Sequence, residues 1–409
     1  MTDPKETLDE LLRREGRLVL ATLTRLTGDL TLAEDAVQDA SISALETWPR
    51  AGIPPNPRAW LILAAKRRAI DLLRRERSRW VKEKDATMVA IQMAPDDFPP
   101  DVVRDDQLRL IFTCCHPALA QETQVALSLR VLCGLTVAEV ARALLVSEQT
   151  MAKRLTRARS KIADAGIPYR VPDVEELPDR MAAVATTVYL LFTEGYASQS
   201  SGGYERRALA DEAVRLGRLL VELMPGEPVL MGLLSTILIH HSRRDARLDA
   251  AGDIVLLADQ DRSRWDRTMA MEGVDLAAAA IRRSADRPER FAVTAAIAAC
   301  HALAEDAADT DWDAIVAWYD VLAQLDPNPI VRLNRAAARA QRGETQLALE
   351  DVETLDGLDD YFWFHATRAE LLTRLGRTEE AAVAASRAKD LTESEAQQRL
   401  LQRRHLESS

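Results

Sequence analysis

Cysteine, glycine and long apolar runs are scarce in this 409-residue chain, and each shortage excludes something. Four cysteines (Cys114, Cys115, Cys133, Cys300) are too few and too irregular for a disulfide framework. Sparse glycine and short β-branched runs argue against sheets and favour an all-α chain. No apolar stretch approaches the roughly 18 residues that span a bilayer. The opening MTDPKETLDELLRREGR is amphipathic and lacks a secretory apolar core, so no membrane is expected and the chain is placed in the cytoplasm. No phosphate-cradling glycine loop and no nucleophile elbow occur, and the carboxylates are unpatterned, so nothing specific supports an enzyme. No cofactor is implied.

What is present is helical periodicity and unevenly placed charge. The net charge of −11 argues against a nucleic-acid partner, but the average conceals a basic stripe: Arg58 to Lys82 holds nine Lys/Arg against Asp71 and Glu76. Such a stripe binds phosphate whatever the rest of the chain carries. The first helix is predicted over 5–27, ending at Gly28. A second is predicted from Thr31, with Glu34 completing a capping box, to about Trp48. Pro49 to Pro55 reads as a loop. Asn56–Pro57 then starts a helix reaching roughly Arg79. Residues 83–105, rich in Asp and Pro, read as an acidic linker; helices resume near Asp106 and run to about Ala165. Pro168 to Pro178 reads as a second linker, and the rest is helical. Near the C-terminus Ala314, Ala348 and Ala382 recur every 34 residues, the tetratricopeptide spacing.

The strongest local pattern lies at 135–162, LTVAEVARALLVSEQTMAKRLTRARSKI. Thr136 caps one helix with Glu139, Leu145-Val146-Ser147 turns, and Ser147 caps a second. The second helix turns Glu148, Gln149, Thr150, Lys153, Arg154 and Arg157 outward and Met151, Leu155 and Ala158 inward. Two short helices, a tight turn and a polar, basic second helix make a helix-turn-helix rather than an ordinary hairpin. In it the residues from Ser147 can reach base edges and the later cations phosphates. In NPRAWLILAAKRRAIDLLRRERSR (56–79), Trp60 stands beside Lys66, Arg67, Arg68, Arg74 and Arg75. Aromatic and cationic groups together suit unstacked bases; alone, the segment would pass for a solvated helix face.

AEDAVQDA (33–40), the 56–75 helix, an acidic linker and a helix-turn-helix, in that order, resemble the two conserved domains of the extracytoplasmic-function RNA polymerase sigma factors. The resemblance implies a region 2 domain at 1–82, the linker at 83–105 and a region 4 domain at 106–167. It implies core RNA polymerase and promoter DNA as partners. Asp35, Gln38 and Asp39 would dock on the polymerase clamp, the 56–75 helix would open and read the minus-ten element, and 147–157 would read the minus-thirty-five element. LIFTCCHPAL (110–119), TVYLLFTEGY (187–196), LLADQDRSRWD (256–266) and the terminal repeat resemble the subgroup carrying a tetratricopeptide-like extension, here 168–310 and 311–409. The implied role of that extension is regulatory, through the sigma domains or a partner protein or peptide.

Three clusters invite a site. Cys114-Cys115-His116 lacks a second Cys/His pair at finger spacing, and neighbouring cysteines on a helix point about 100° apart, so buried side chains are expected rather than a metal. His240-His241 reads as a helix feature rather than a ligand pair. Asp259, Asp261, Arg262, Arg264, Trp265 and Asp266 are the foremost candidates for a regulatory contact; otherwise they form a salt-bridged helix end.

Overall fold

In a computed structural model every regular element of more than one residue among the described residues is a helix. The structure describes residues 4–77, 100–144, 146–167, 169–173, 175–197, 204–249, 252–284, 287–392 and 398–399. Within these, β-structure is limited to one isolated bridge, Leu248 to Ile254. Most of the acidic linker, residues 83–99, and Leu145 of the predicted turn lie outside the described residues; residues 100–105, assigned to that linker, are helical. The chain divides into two compact units, Met1–Leu190 and Leu191–Ser409.

The first unit opens with three packed helices, α1 (Pro4–Thr27), α2 (Leu30–Ala51) and α3 (Pro57–Arg77). Their shared core includes Val19, Leu23, Ala36, Ala44, Trp48 and Leu61. α2 starts earlier than its sequence suggests. Asp29, not Thr31, is the cap, its carboxylate accepting from the Thr31 and Leu32 amides. Glu34 is thereby released from a capping box for a tertiary role. α2 also runs through Pro49 to Ala51, where Gly52, at φ 85°, closes it by donating to the Trp48 carbonyl. The predicted loop is therefore shorter. Asn56 does cap α3, accepting from the Ala59 amide at 3.0 Å.

Four helices follow: α4 (Pro100–Cys114), α5 (Gln121–Val131), α6 (Val137–Ala143) and α7 (Glu148–Asp164). α6 carries the full capping box of Thr136 and Glu139, and Ser147 caps α7 through the Thr150 amide. Val140 and Ala141 are buried in α6; Val137 and Leu144 are only half-buried. The second predicted linker is pinned rather than free. The Tyr169 hydroxyl donates to the Ala21 carbonyl at 3.0 Å, and lies 3.1 Å from the Asp106 carbonyl. The next helix, α8 (Leu177–Ala197), begins inside the first unit. There Arg180 donates to the Phe112 carbonyl and Thr187 to Gln124 Oε1. The unit thus ends well beyond 167.

The second unit continues with α9 (Tyr204–Leu223), α10 (Pro228–Ser242), α11 (Arg267–Arg283) and α12 (Arg290–Leu303). α10 is its apolar axis, buried from Val229 to Ile239. Glycine permits the close crossings: a Cβ on Gly232 would come within 2.5 Å of the α12 backbone, and one on Gly273 within 2.6 Å of Ile239. Helix pairs follow: α13 (Trp312–Leu325), α14 (Pro329–Gln341), α15 (Thr345–Glu353), α16 (Phe362–Arg374) and α17 (Thr378–Asp390). α13, α15 and α17 begin 33 residues apart each time, as do α14 and α16. The repeat exists, but its period is 33, not 34. Ala348 is buried while Ala382 is exposed; the residues that share one environment are Ile315, Ala348 and Ala381, all buried.

Candidate nucleic-acid interface

The outward face of α7 is open. Ser147, Glu148, Gln149, Thr150, Lys153 and Arg157 are exposed, while Met151, Leu155 and Ala158 are buried beneath them. Alternation at helical spacing gives this division: one stripe packs on α5 and α6, and the opposite stripe is left to solvent. Arg154 sits between the two, half-buried, with its guanidinium 3.2 Å from Glu122 of α5. Lys153, Arg157 and Lys161 line the groove between α5 and α7 together with Thr123. Several cations around one groove, beside a helix whose first turn is bare, fit a duplex backbone beside base edges.

α3 supplies the second basic surface. Its residues do not all project to solvent. Arg67 is exposed, but Lys66 is buried, which lowers the pKa of its amine. Arg68 pairs with Asp39 of α2. Trp60 is half-buried and meets the buried Trp48 edge-on, ring centroids 5.5 Å apart. The side chains of Arg74 and Arg75 lie outside the described residues. On α2, Asp35 and Gln38 are exposed, and Asp39 is engaged by Arg68. The same face carries Ile42 and Leu45, 47% and 44% exposed. The 35–38–42–45 spacing could have revealed this stripe, but a sequence pass that assigns apolar residues to the core discards them.

The two surfaces are tied together. Arg159, on the inner side of α7, donates twice to Glu34 of α2, at 2.6 and 3.1 Å. Arg25 of α1 donates to Asp106 at 2.8 Å, and Arg109 to the same carboxylate at 3.0 Å. The helices before the linker and those after it therefore share buried or half-buried ion pairs within the first unit.

Comparison with known protein families places matches along the chain. Sigma-70 region 2 matches residues 11–79, Sigma-70 region 4 matches 109–162, and a family of unknown function (DUF6596) matches 180–281. The chain belongs to the extracytoplasmic-function sigma factors and carries a C-terminal extension. It is 43% identical to an uncharacterized protein, R00370, of Rhizobium meliloti over 90% of this chain and 88% of that one. It is 28% identical to the ECF RNA polymerase sigma factor SigK of Mycolicibacterium vanbaalenii, over 34% of this chain and 70% of that one. Against SigK of Mycobacterium ulcerans the identity is 26%, over 36% and 75%. The SigK matches cover about a third of this chain, whereas the R00370 match, at 90%, must include most of the extension.

Cys114 and Cys115 are both buried, and burial raises both thiol pKa values, Cys115 to about 11. His116 Nδ1 accepts from the Ala118 amide. Among the described residues no three His, Cys, Asp or Glu side chains gather as a metal would need. In the 259–266 segment, Asp261 and Asp266 cap the helical turns that follow them. Arg262 donates to the His301 and Ala304 carbonyls and Trp265 is buried, so both serve the interior of the extension. Asp259 and Arg264 are exposed. No described helix is long and apolar enough to cross a membrane.

Proposed function

We propose that this sigma factor binds core RNA polymerase in the cytoplasm and directs it to promoters by reading two elements at once. The observation that carries this is the open, basic face of α7 in the same compact unit as α3. α7 would fix the minus-thirty-five register, with Gln149 and Thr150 at base edges and Lys153, Arg154 and Arg157 at phosphates or bases. α3 and the loop before it would open the minus-ten element through Trp60 and Arg67. Asp35, Gln38, Ile42 and Leu45 would form the clamp-docking stripe, apolar at one end and polar at the other. The protein has no chemistry of its own; the polymerase makes the RNA. The extension would regulate, presenting Asp259 and Arg264 to the sigma domains or to a protein or peptide partner.

Run-off transcription with purified core enzyme tests the reading. Arg157→Ala should lower output by roughly 5- to 150-fold if it contacts a base, about 1–3 kcal/mol, and less if it contacts only phosphate. Arg154→Ala should cost less, because Glu122 already holds that guanidinium in the free protein. Unchanged output from both would remove α7 as the reader. A stand-alone regulator would need only the helix-turn-helix; failure of the full chain to pull down core polymerase would favour that rival.

A further inference from the structure

Three segments with no part in promoter reading meet in the second unit: the end of α8 at Tyr196, the end of α10 with the turn beyond it, and the short turn at Arg262. Arg247 lies over the Tyr196 ring, its guanidinium carbon 3.5 Å from the centroid, and Arg243 approaches the same ring at 5.8 Å. The His240 ring stands edge-on to Tyr196, centroids 5.7 Å apart. Arg243 donates to His240 Nδ1 at 3.0 Å. Because a guanidinium can only donate, Nδ1 is the acceptor, and the neutral ring carries its hydrogen on Nε2. Burial and the neighbouring arginines hold both His240 and His301 neutral.

The groups gathered here are donors and positive charges. Arg262 and Arg267 are engaged by the α12 C-terminus, where they donate to the carbonyls of His301, Ala302 and Ala304. Asp306 and Asp309 face Arg262. Arg243 differs: among the described residues no carboxylate lies within ion-pair distance of it, and its contacts are a neutral imidazole and an aromatic face. The Tyr196 hydroxyl and the Trp265 indole N–H are both buried with no hydrogen-bond partner among the described residues. A half-buried guanidinium that faces only neutral groups, next to an unused hydroxyl donor, leaves charge and hydrogen-bonding capacity that an anion can take up.

We propose that this cluster binds a small organic anion, its carboxylate or phosphate group received by Arg243 at the rim of the Tyr196 ring with Arg247 alongside. An arginine fork matches either group in a bidentate manner, and the Tyr196 hydroxyl supplies a further donor. The ligand would make the extension a sensor of a metabolite. This goes beyond the reading of the protein as an initiation factor and does not depend on it.

The test is thermal unfolding of the full chain, titrated separately with inorganic phosphate and with citrate at constant ionic strength. A ligand that binds only the folded state raises Tm with a saturating dependence on concentration. Saturable stabilisation by one of the two is expected, and which one saturates lower tells carboxylate from phosphate. Arg243→Gln should abolish it, while Arg218→Gln, whose guanidinium already pairs with Glu272 on the surface, should leave it intact. Tyr196→Phe, which keeps the ring, should raise the half-saturating concentration several-fold and serves if Arg243→Gln does not fold. No stabilisation by either anion would overturn the proposal, as would equal stabilisation of wild type and Arg243→Gln, or an unchanged midpoint in Tyr196→Phe.

Discussion

Asp106 is held almost completely out of water between two guanidinium groups, Arg25 at 2.8 Å and Arg109 at 3.0 Å. Removing one partner of a buried pair leaves the others uncompensated, which costs about 3–5 kcal/mol. Asp106→Ala should therefore lower urea-unfolding stability of the first unit by roughly that amount. Glu176→Gln, which loosens an exposed pair with Arg170, should cost at most about 1 kcal/mol. Equal effects would mean that burial does not set the scale. His301 makes a prediction in pH. Burial, with Arg243 and Arg262 nearby, lowers its pKa to about 4. The unfolded chain, near the ordinary value of about 6.5, binds the proton first. The contribution of a neutral His301 is thus complete above about pH 6.5 and lost as pH falls toward 4. Tm followed across that window should fall, and His301→Gln should flatten the fall.

Helices were legible wherever a cap or a stripe was local. Thr136 with Glu139, Ser147, and Asn56 before Pro57 are decided within four residues, and each acts as its chemistry suggests. Glu34 was not legible: three residues from Thr31 it mimics a capping box, and only the fold reveals its partner, Arg159, 125 residues away. The same limit applies to Tyr169 in its proline-rich stretch and to the buried Lys66 among cations. At the repeats, alanine abundance suggested a period of 34, whereas the glycines at 343 and 376, both at positive φ just before a helix, mark 33. The two registers predict different costs. Ala381→Leu should overpack the core around Ala348, Leu349 and Leu372, at about 1–3 kcal/mol. Ala382→Leu, exposed one position along the same helix, should stay within about 0.5 kcal/mol. Reversed effects in urea unfolding would restore the longer period.

For the whole molecule, the compact division after Leu190 decides where the sigma part can be cut. The family resemblance alone places its end near 167, just past the end of α7 at Asp164. Yet the first stretch of α8 is bonded to α4 through Arg180 and to α5 through Thr187. Met181, Val184, Ala185 and Val188 are buried there. The Gln124 amide shows the dependence most clearly. Its nitrogen donates to the His116 and Leu119 carbonyls, and its oxygen accepts from Thr187 at 2.8 Å. Without α8 that buried oxygen loses its donor, and an unsatisfied buried group costs about 1–3 kcal/mol. Loss of the Arg180 and Tyr169 bonds adds to this. A chain ending at Ala197 should unfold cooperatively and keep polymerase binding. One ending at Ile167 should be less stable by several kcal/mol, about 2 kcal/mol of it for each large apolar side chain uncovered. Urea unfolding of the two truncations, with core-polymerase pull-down beside it, checks this. If both are equally stable, α8 belongs to the extension alone, and the regulatory part begins where the family pattern stops.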